Sequence, residues 1–436
     1  MKQEKIQLPE NASRPLRPGE KYEPILKPQN SYPEITPYSV IMGVIMAVIF
    51  SAAAAYLGLK VGQVFEAAIP IAIIAVGLSS AMKRKNAIGE NVIIQSIGAS
   101  SGVIVAGAIF TLPALYILQA KYPDITVNFM QVFLSSLLGG CLGILFLIPF
   151  RKYFVQEKHG EYPFPEATAT TEVLVSGEKG GNQAKLLAVA GLVGGLYDFI
   201  VSTFGAWTEV VSTRLTAFGE MCADKFKVVF SLNTGAAVLG LGYIIGLKYA
   251  VIITAGSCLV WFLIVPLIGS GSPDAALLTP GKIFTDYGRP LGIGGIAMAG
   301  LIGIIRQAGI IRQAVGLAVS ELSSKKGAGA VAVERTQRDL PMKLILTILI
   351  AALITTLVFF HFGLLGNGMQ SIVALLIVFV IAFLFTTVAA NAIAIVGTNP
   401  VSGMTLMTLI LSSLVLVSVG LNGTEGMTAA LIIGGV

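Results

Sequence analysis

Of the 436 residues 55% are hydrophobic and only 12% charged, and mean hydropathy is +0.83, whereas an ordinary soluble domain is about 25% charged. That balance excludes a soluble fold, which at this length would need roughly three domains with polar surfaces. The net charge of +6 is no nucleic-acid footprint, because Lys and Arg sit in short clusters between apolar blocks and not on one basic face.

The apolar blocks run to about 20 residues, the length a helix needs to cross a bilayer core about 30 Å thick. Forty-nine glycines suit the close approach of membrane helices. The expected fold class is all-α, a polytopic membrane helix bundle with eleven complete spans and a partial twelfth. Cys141, Cys222 and Cys258 show no C-x-x-C spacing, so neither a zinc site nor a disulfide framework is indicated. No cofactor and no bound metal are expected.

Residues 1–37 carry seven prolines and six cations. That composition cannot bury a core and reads as a flexible cytoplasmic tail, without the apolar segment and cleavage site of a signal peptide. Residues 38–436 form the transmembrane domain. Spans are expected at 38–59, 64–82, 92–118, 128–150, 186–206, 228–247, 249–268, 290–305, 343–362, 371–390 and 402–421, with another beginning near 427. With the N-terminus inside, 22 of the 29 Lys and Arg fall in inner segments, as the positive-inside rule requires. This places the chain in the cytoplasmic (plasma) membrane with its N-terminus inside.

A weak internal repeat relates Tyr56-Leu57-Gly58-Leu59-Lys60 to Tyr243 through Lys248, and Gly102 with Ala106-Gly107 to Gly295 with Ala299-Gly300. Five spans per unit would invert the two halves, a mark of secondary transporters. Chance matching between glycine-rich helices is the alternative.

Catalytic motifs are lacking. The two histidines are His159 and His361, and no H-E-x-x-H, G-x-S-x-G or P-loop pattern occurs, which disfavours hydrolytic chemistry and ATP-driven pumping.

Four segments stand out instead. In Gly89 through Gly102, Asn91, Gln95 and Ser96 recur at helical spacing on a small, polar side; this is either a solvated substrate path or glue between helices. In Glu161 through Leu174, Pro165-Glu166 reads as a helix start with the carboxylate at the positive end of the dipole, on a helix too short to span. Asn391 through Ser402 contains Gly397 and Asn399-Pro400 and no charge, so it is either a broken helix lining a cavity or a short loop. Asp198 lies within the fifth span, where a charge costs at least about 2.5 kcal/mol; it is a candidate proton-coupling group or a hydrogen-bonding anchor. Glu66 and Glu90, nearer span ends, are weaker candidates.

These segments together resemble the oligopeptide transporter (OPT) family, which includes the yellow-stripe-like metal-chelate transporters. The resemblance rests on Gly89-Glu90-Asn91 with Gln95, Phe110 through Leu115, Ile148-Pro149-Phe150-Arg151-Lys152-Tyr153, the Tyr162-Pro163…Glu166-Ala167-Thr168-Ala169 stretch with Glu172-Val173-Leu174, Arg338 through Met342, and Asn399 through Thr405. The loop departs from the family pattern in reading Tyr-Pro-Phe-Pro-Glu, and Asp198 and Glu66 fall on no matching motif.

The resemblance implies a proton-coupled symporter of small oligopeptides or peptide-like metal chelates, not an enzyme. Asn91, Gln95, Asn399, Ser402 and Thr405 would bind cargo, and Glu166 or Asp198 would carry the proton. Relatives are expected to have about sixteen spans, so the chain is expected to be an incomplete member cut within its twelfth. The partners expected are cargo, protons and lipid, with no nucleic acid. A noncatalytic subunit of a larger complex or a membrane-embedded enzyme is the alternative.

Overall fold

The computed structural model describes residues 8–29, 31–61, 67–178, 182–245, 247–271, 277–295, 335–397 and 401–436, with single positions between 298 and 316. They fold as two compact units, Met1–Lys179 with Gly300–Val436, and Gly180–Ala299. In chain order the helices are α1 (Pro37–Val61), α2 (Ala68–Ala81), α3 (Ile88–Ile109), α4 (Pro113–Lys121), α5 (Phe129–Arg151), α6 (Pro165–Glu178), α7 (Asn182–Phe199), α8 (Ala217–Lys225), α9 (Ala236–Ile245), α10 (Leu247–Leu259), α11 (Val265–Gly271), α12 (Pro280–Ile283), α13 (Met342–Phe360), α14 (Gly368–Val396), α15 (Val401–Ser418) and α16 (Gly423–Gly435).

Six helical stretches among the described residues are long and apolar enough to cross a membrane: Pro37–Tyr56, Ile88–Lys121, Phe129–Glu157, Ala250–Gly271, Met342–Leu365 and Gly368–Val396. Shorter apolar helices occupy Ala68–Ala81, Val189–Phe204 and Gly403–Ser418. The chain is a polytopic helical membrane protein. Outward-facing aliphatic side chains such as Val48, Ile144 and Leu376 are exposed, as lipid-facing residues should be.

Local chemistry sets the helix ends. Asn128 caps α5 by accepting from Met130 N at 2.9 Å, and Asn367 caps α14 by accepting from Met369 N at 3.0 Å, each satisfying an orphan amide. Thr36 and Ser39 reciprocate at the start of α1, Thr36 N donating to Ser39 Oγ at 2.9 Å and Ser39 N to Thr36 Oγ1 at 3.2 Å. In the first unit one core joins Leu142, Phe360, Leu416 and Ile432, and a second joins Met46, Ile71, Ala75 and Ile94 of α1, α2 and α3. Gly98 permits the second, since a Cβ there would lie 2.9 Å from Ile71 Cδ1.

The structure redraws several expected spans. Residues 92–118 divide into α3 and α4 at Phe110–Leu112, where Pro113 starts the new helix. Within the expected span 228–247, residues Ser231–Asn233 form a strand paired antiparallel with Val210–Ser212, and α9 has only ten residues. The strands are largely exposed, and α8 lies in the connection between them in the second unit. The expected span 371–390 extends to α14, 29 residues long. The segment beginning near 427 is α16, whose Ala429 through Ile433 are buried. Glu66, Asn399 and the Ala299-Gly300 half of the repeat match lie outside the described residues.

Candidate functional site

The site grows from a helix stop resting on a helix start. α14 ends at Gly397, whose φ of +84° suits glycine at a helix C-terminus, and whose amide donates to Ile393 O at 2.9 Å. A Cβ at Gly397 would approach Pro165 Cγ to 2.8 Å, so only glycine lets this end seat on the first turn of α6. Phe164, just before α6, donates its amide to Ala394 O at 3.0 Å, and its ring joins a core with Phe150, Tyr153 and Phe154. Two segments singled out separately in the sequence, Glu161 through Leu174 and Asn391 through Ser402, are thus one structural feature.

A cavity of about 480 Å³ lies beside this junction, within the 300–1,000 Å³ range of small-molecule sites. Gln95 of α3, Glu166 and Thr170 of α6 and Gly397 of α14 line it, together with Ile25 and Leu26 of the N-terminal tail. Glu166 is the second residue of α6, where the helix dipole favours a negative charge. Thr170 Oγ1 donates to Glu166 O at 2.8 Å. The cavity therefore offers one carboxylate, one amide and hydroxyls against an aliphatic wall, a set that can bind an ammonium group and peptide amides at once.

The other candidate residues are placed differently. Asn91 is buried, and its Nδ2 donates to Ser79 Oγ at 3.0 Å; it ties α3 to α2 and is not on the cavity wall. Ser402 stands in the first turn of α15, and Thr405 is buried on the same helix and does not line the cavity. Asp198, in the second unit, is half-buried near the C-terminal end of α7, and its Oδ1 accepts from Ala236 N at 2.7 Å at the start of α9. Glu90 is 1% exposed and receives Arg84 Nε and Nη2, each at 2.7 Å, and Thr36 Oγ1 at 2.6 Å. The Arg84 guanidinium also lies 4.2 Å from the centre of the Tyr38 ring. Glu90 thus clamps the start of α1 and the α2–α3 loop to α3.

Sequence reasoning did not find Ile25 and Leu26. The available signal was that they are the one adjacent aliphatic pair in a tail of prolines and charges. Nor did it join Arg151 to Asp339, which pair with Nη2 to Oδ2 at 3.0 Å and bring together two motif segments far apart in the chain. That pair borders a second, largely apolar hollow of about 800 Å³ lined by Leu147 and Phe154.

The family model described as OPT oligopeptide transporter protein matches residues 34–436. A Haemophilus influenzae protein named "Putative oligopeptide transporter" is 29% identical over 380 residues, covering 84% of this chain and 58% of that protein. The chain therefore spans somewhat over half the length of this relative. No solved structure matches. With the family match covering nearly all of the helical region, the chain belongs to the OPT oligopeptide transporter family.

Proposed function

We propose that the chain is a proton-coupled secondary transporter that carries small oligopeptides or peptide-like metal chelates through the cavity beside Gly397. The observation that carries this reading is the convergence of Gln95, Glu166 and the end of α14 on one cavity. Transporter sites are commonly built where helices break, because freed backbone groups and helix ends then face the ligand. Glu166 serves as counter-ion to the cargo's ammonium group and as proton carrier, while Gln95 hydrogen-bonds its amides. Asn399, Ser402 and Thr405, which follow Gly397 in sequence, would add polar groups to the cargo path, and Asn91 supports α3 from behind.

In this reading the N-terminus is cytoplasmic and the membrane is the plasma membrane, as the distribution of Lys and Arg supports. Both peptides and chelates present carboxylates, amines and amides, so the cavity suits either. The test is uptake of a labelled tripeptide into proteoliposomes with and without a pH gradient, repeated with unlabelled iron or nickel chelates as competitors. The expected result is gradient-driven uptake that Glu166→Gln uncouples from the gradient. Uptake indifferent to the gradient would remove the proton, and competition by chelates alone would reassign the cargo.

A further inference from the structure

The N-terminal tail has no core of its own, yet it is held at several points. Arg14 and Glu20 form a two-pronged ion pair, Nη1 to Oε2 at 2.9 Å and Nη2 to Oε1 at 2.8 Å. The same carboxylate accepts from Arg17 N at 2.9 Å and Asn11 Nδ2 at 3.1 Å, so residues 11–20 close into a compact loop. This loop sits on the turn between α5 and α6. His159 Nε2 lies 2.8 Å from Asn11 O, and the Tyr22 ring lies 4.9 Å from the imidazole. Gly160, with φ of +72°, has no room for a Cβ, which would run into the Arg14 and Pro15 backbone. Further along, Pro33 O would meet a Cβ on Gly89, and Glu34 pairs with Arg335 at 3.0 Å. Between these anchors Ile25 and Leu26, both half-buried, line the same cavity as Glu166, while Glu23 and Lys27 on either side are exposed.

We propose that residues 8–29 are a latch and that Ile25 and Leu26 are the gate of the cavity on the tail's side of the membrane. The proposal rests on the reading of this cavity as the cargo site. A transporter must open its site to one side at a time, and a wall contributed by a short segment without a core can leave without unfolding the helices behind it. The anchors at His159 and Gly160 set how often it leaves. The aliphatic pair fills the wall without offering cargo a competing polar partner.

The experiment uses the full chain in vesicles, with Cys141, Cys222 and Cys258 replaced by serine and Thr170→Cys as a reporter inside the cavity. A membrane-impermeant maleimide is applied from the tail's side. Ile25→Asp with Leu26→Asp, and separately Tyr22→Ala with His159→Ala, should raise the labelling rate about tenfold, as loss of a locally closed state does. Trypsin cleavage after Lys21, whose bond is the one Lys or Arg bond among residues 8–29 not blocked by a following proline, should accelerate in the Tyr22/His159 variant in parallel. Labelling equally fast in both variants and the parent would overturn the gate, whatever the uptake assay shows. Tail-dependent labelling without peptide uptake by the parent would leave the gate standing and remove the cargo assignment. A first variant that fails to fold leaves the decision to the Tyr22/His159 pair, neither of which lines the cavity.

Discussion

Replacing Glu90 by alanine should destabilise the first unit by about 3 kcal/mol. The carboxylate is 1% exposed and accepts three hydrogen bonds, two from Arg84 and one from Thr36. Removing one partner of a buried, hydrogen-bonded pair costs about 3–5 kcal/mol because the other charge is stranded. Here the stranded group is Arg84, whose side chain is 31% exposed and stacks on Tyr38, so part of that cost is relieved by water and the lower end applies. Unfolding in mixed micelles as the fraction of denaturing detergent rises would measure the loss. A double-mutant cycle with Arg84→Met isolates the pair, and a coupling of about 2 kcal/mol is expected for groups in such contact. Glu90→Gln keeps the shape and should cost less than alanine. Additive single effects, or an alanine variant within about 0.5 kcal/mol of the parent, would refute the clamp.

Gly397→Ala should be destabilised by about 1–2 kcal/mol from the left-handed conformation alone, and by more from the collision with Pro165; thermal unfolding checks the stability, and uptake should fall with it. Arg14 holds the Glu20 carboxyl down to about 2, so its contribution to the tail loop is complete above the ordinary carboxylate range and is lost as pH falls from about 4 toward 2. The protection of the tail amides relative to their intrinsic exchange rates should therefore hold at neutral pH and fall in that acid window, and an earlier fall would assign the brace to another group. Asp198→Ala should loosen the start of α9 by about 1 kcal/mol, the usual loss of a cap, while Asp198→Asn keeps an acceptor and much of the stability. If Asp198→Asn abolished gradient-driven uptake at unchanged stability, the carboxylate would be a coupling group and not an anchor. Gln95→Leu should weaken cargo binding and spare stability, whereas Asn91→Leu should do the reverse; ligand titration beside unfolding separates them.

The long spans were legible because a bilayer demands about 20 apolar residues in succession, and α1, α5, α13 and α14 meet that demand without help from tertiary context. Their ends were less so. Asn391 looked like the end of an apolar run, but Asn391 through Val396 keep to the helix and the stop waits for Gly397. The strands Val210–Ser212 and Ser231–Asn233 have three residues each, too few to show an alternating pattern against the usual 5–6. The tail was harder still. Its composition rightly denies it a core, but its seat depends on single contacts such as Asn11 O to His159, between residues 148 positions apart, which no local pattern encodes.

The polar side of α3 shows where sequence spacing stops being decisive. Asn91, Gln95 and Gly98 share one broad side of the helix by spacing, and the sequence allows a substrate path or helix glue for all of them. In the structure this side belongs to two stripes centred about 120° apart by helical geometry, with Asn91 and Gln95 at their adjoining edges. Asn91, Ile94, Gly98 and Ser101 are buried, with Ser79 hydrogen-bonded to Asn91 and Ile71 packed at Gly98. Ile88, Val92, Gln95, Ala99 and Val103 face the cavity. What separates the stripes is the position of α2, a 14-residue helix that covers the first and leaves the second open to α6. Asn91 is glue, and Gln95, one turn on, stands on the cavity wall proposed as the path. The residue that distinguishes them lies not on α3 but on its neighbour, where Ser79 offers Asn91 a partner while Gln95 is left on the cavity wall.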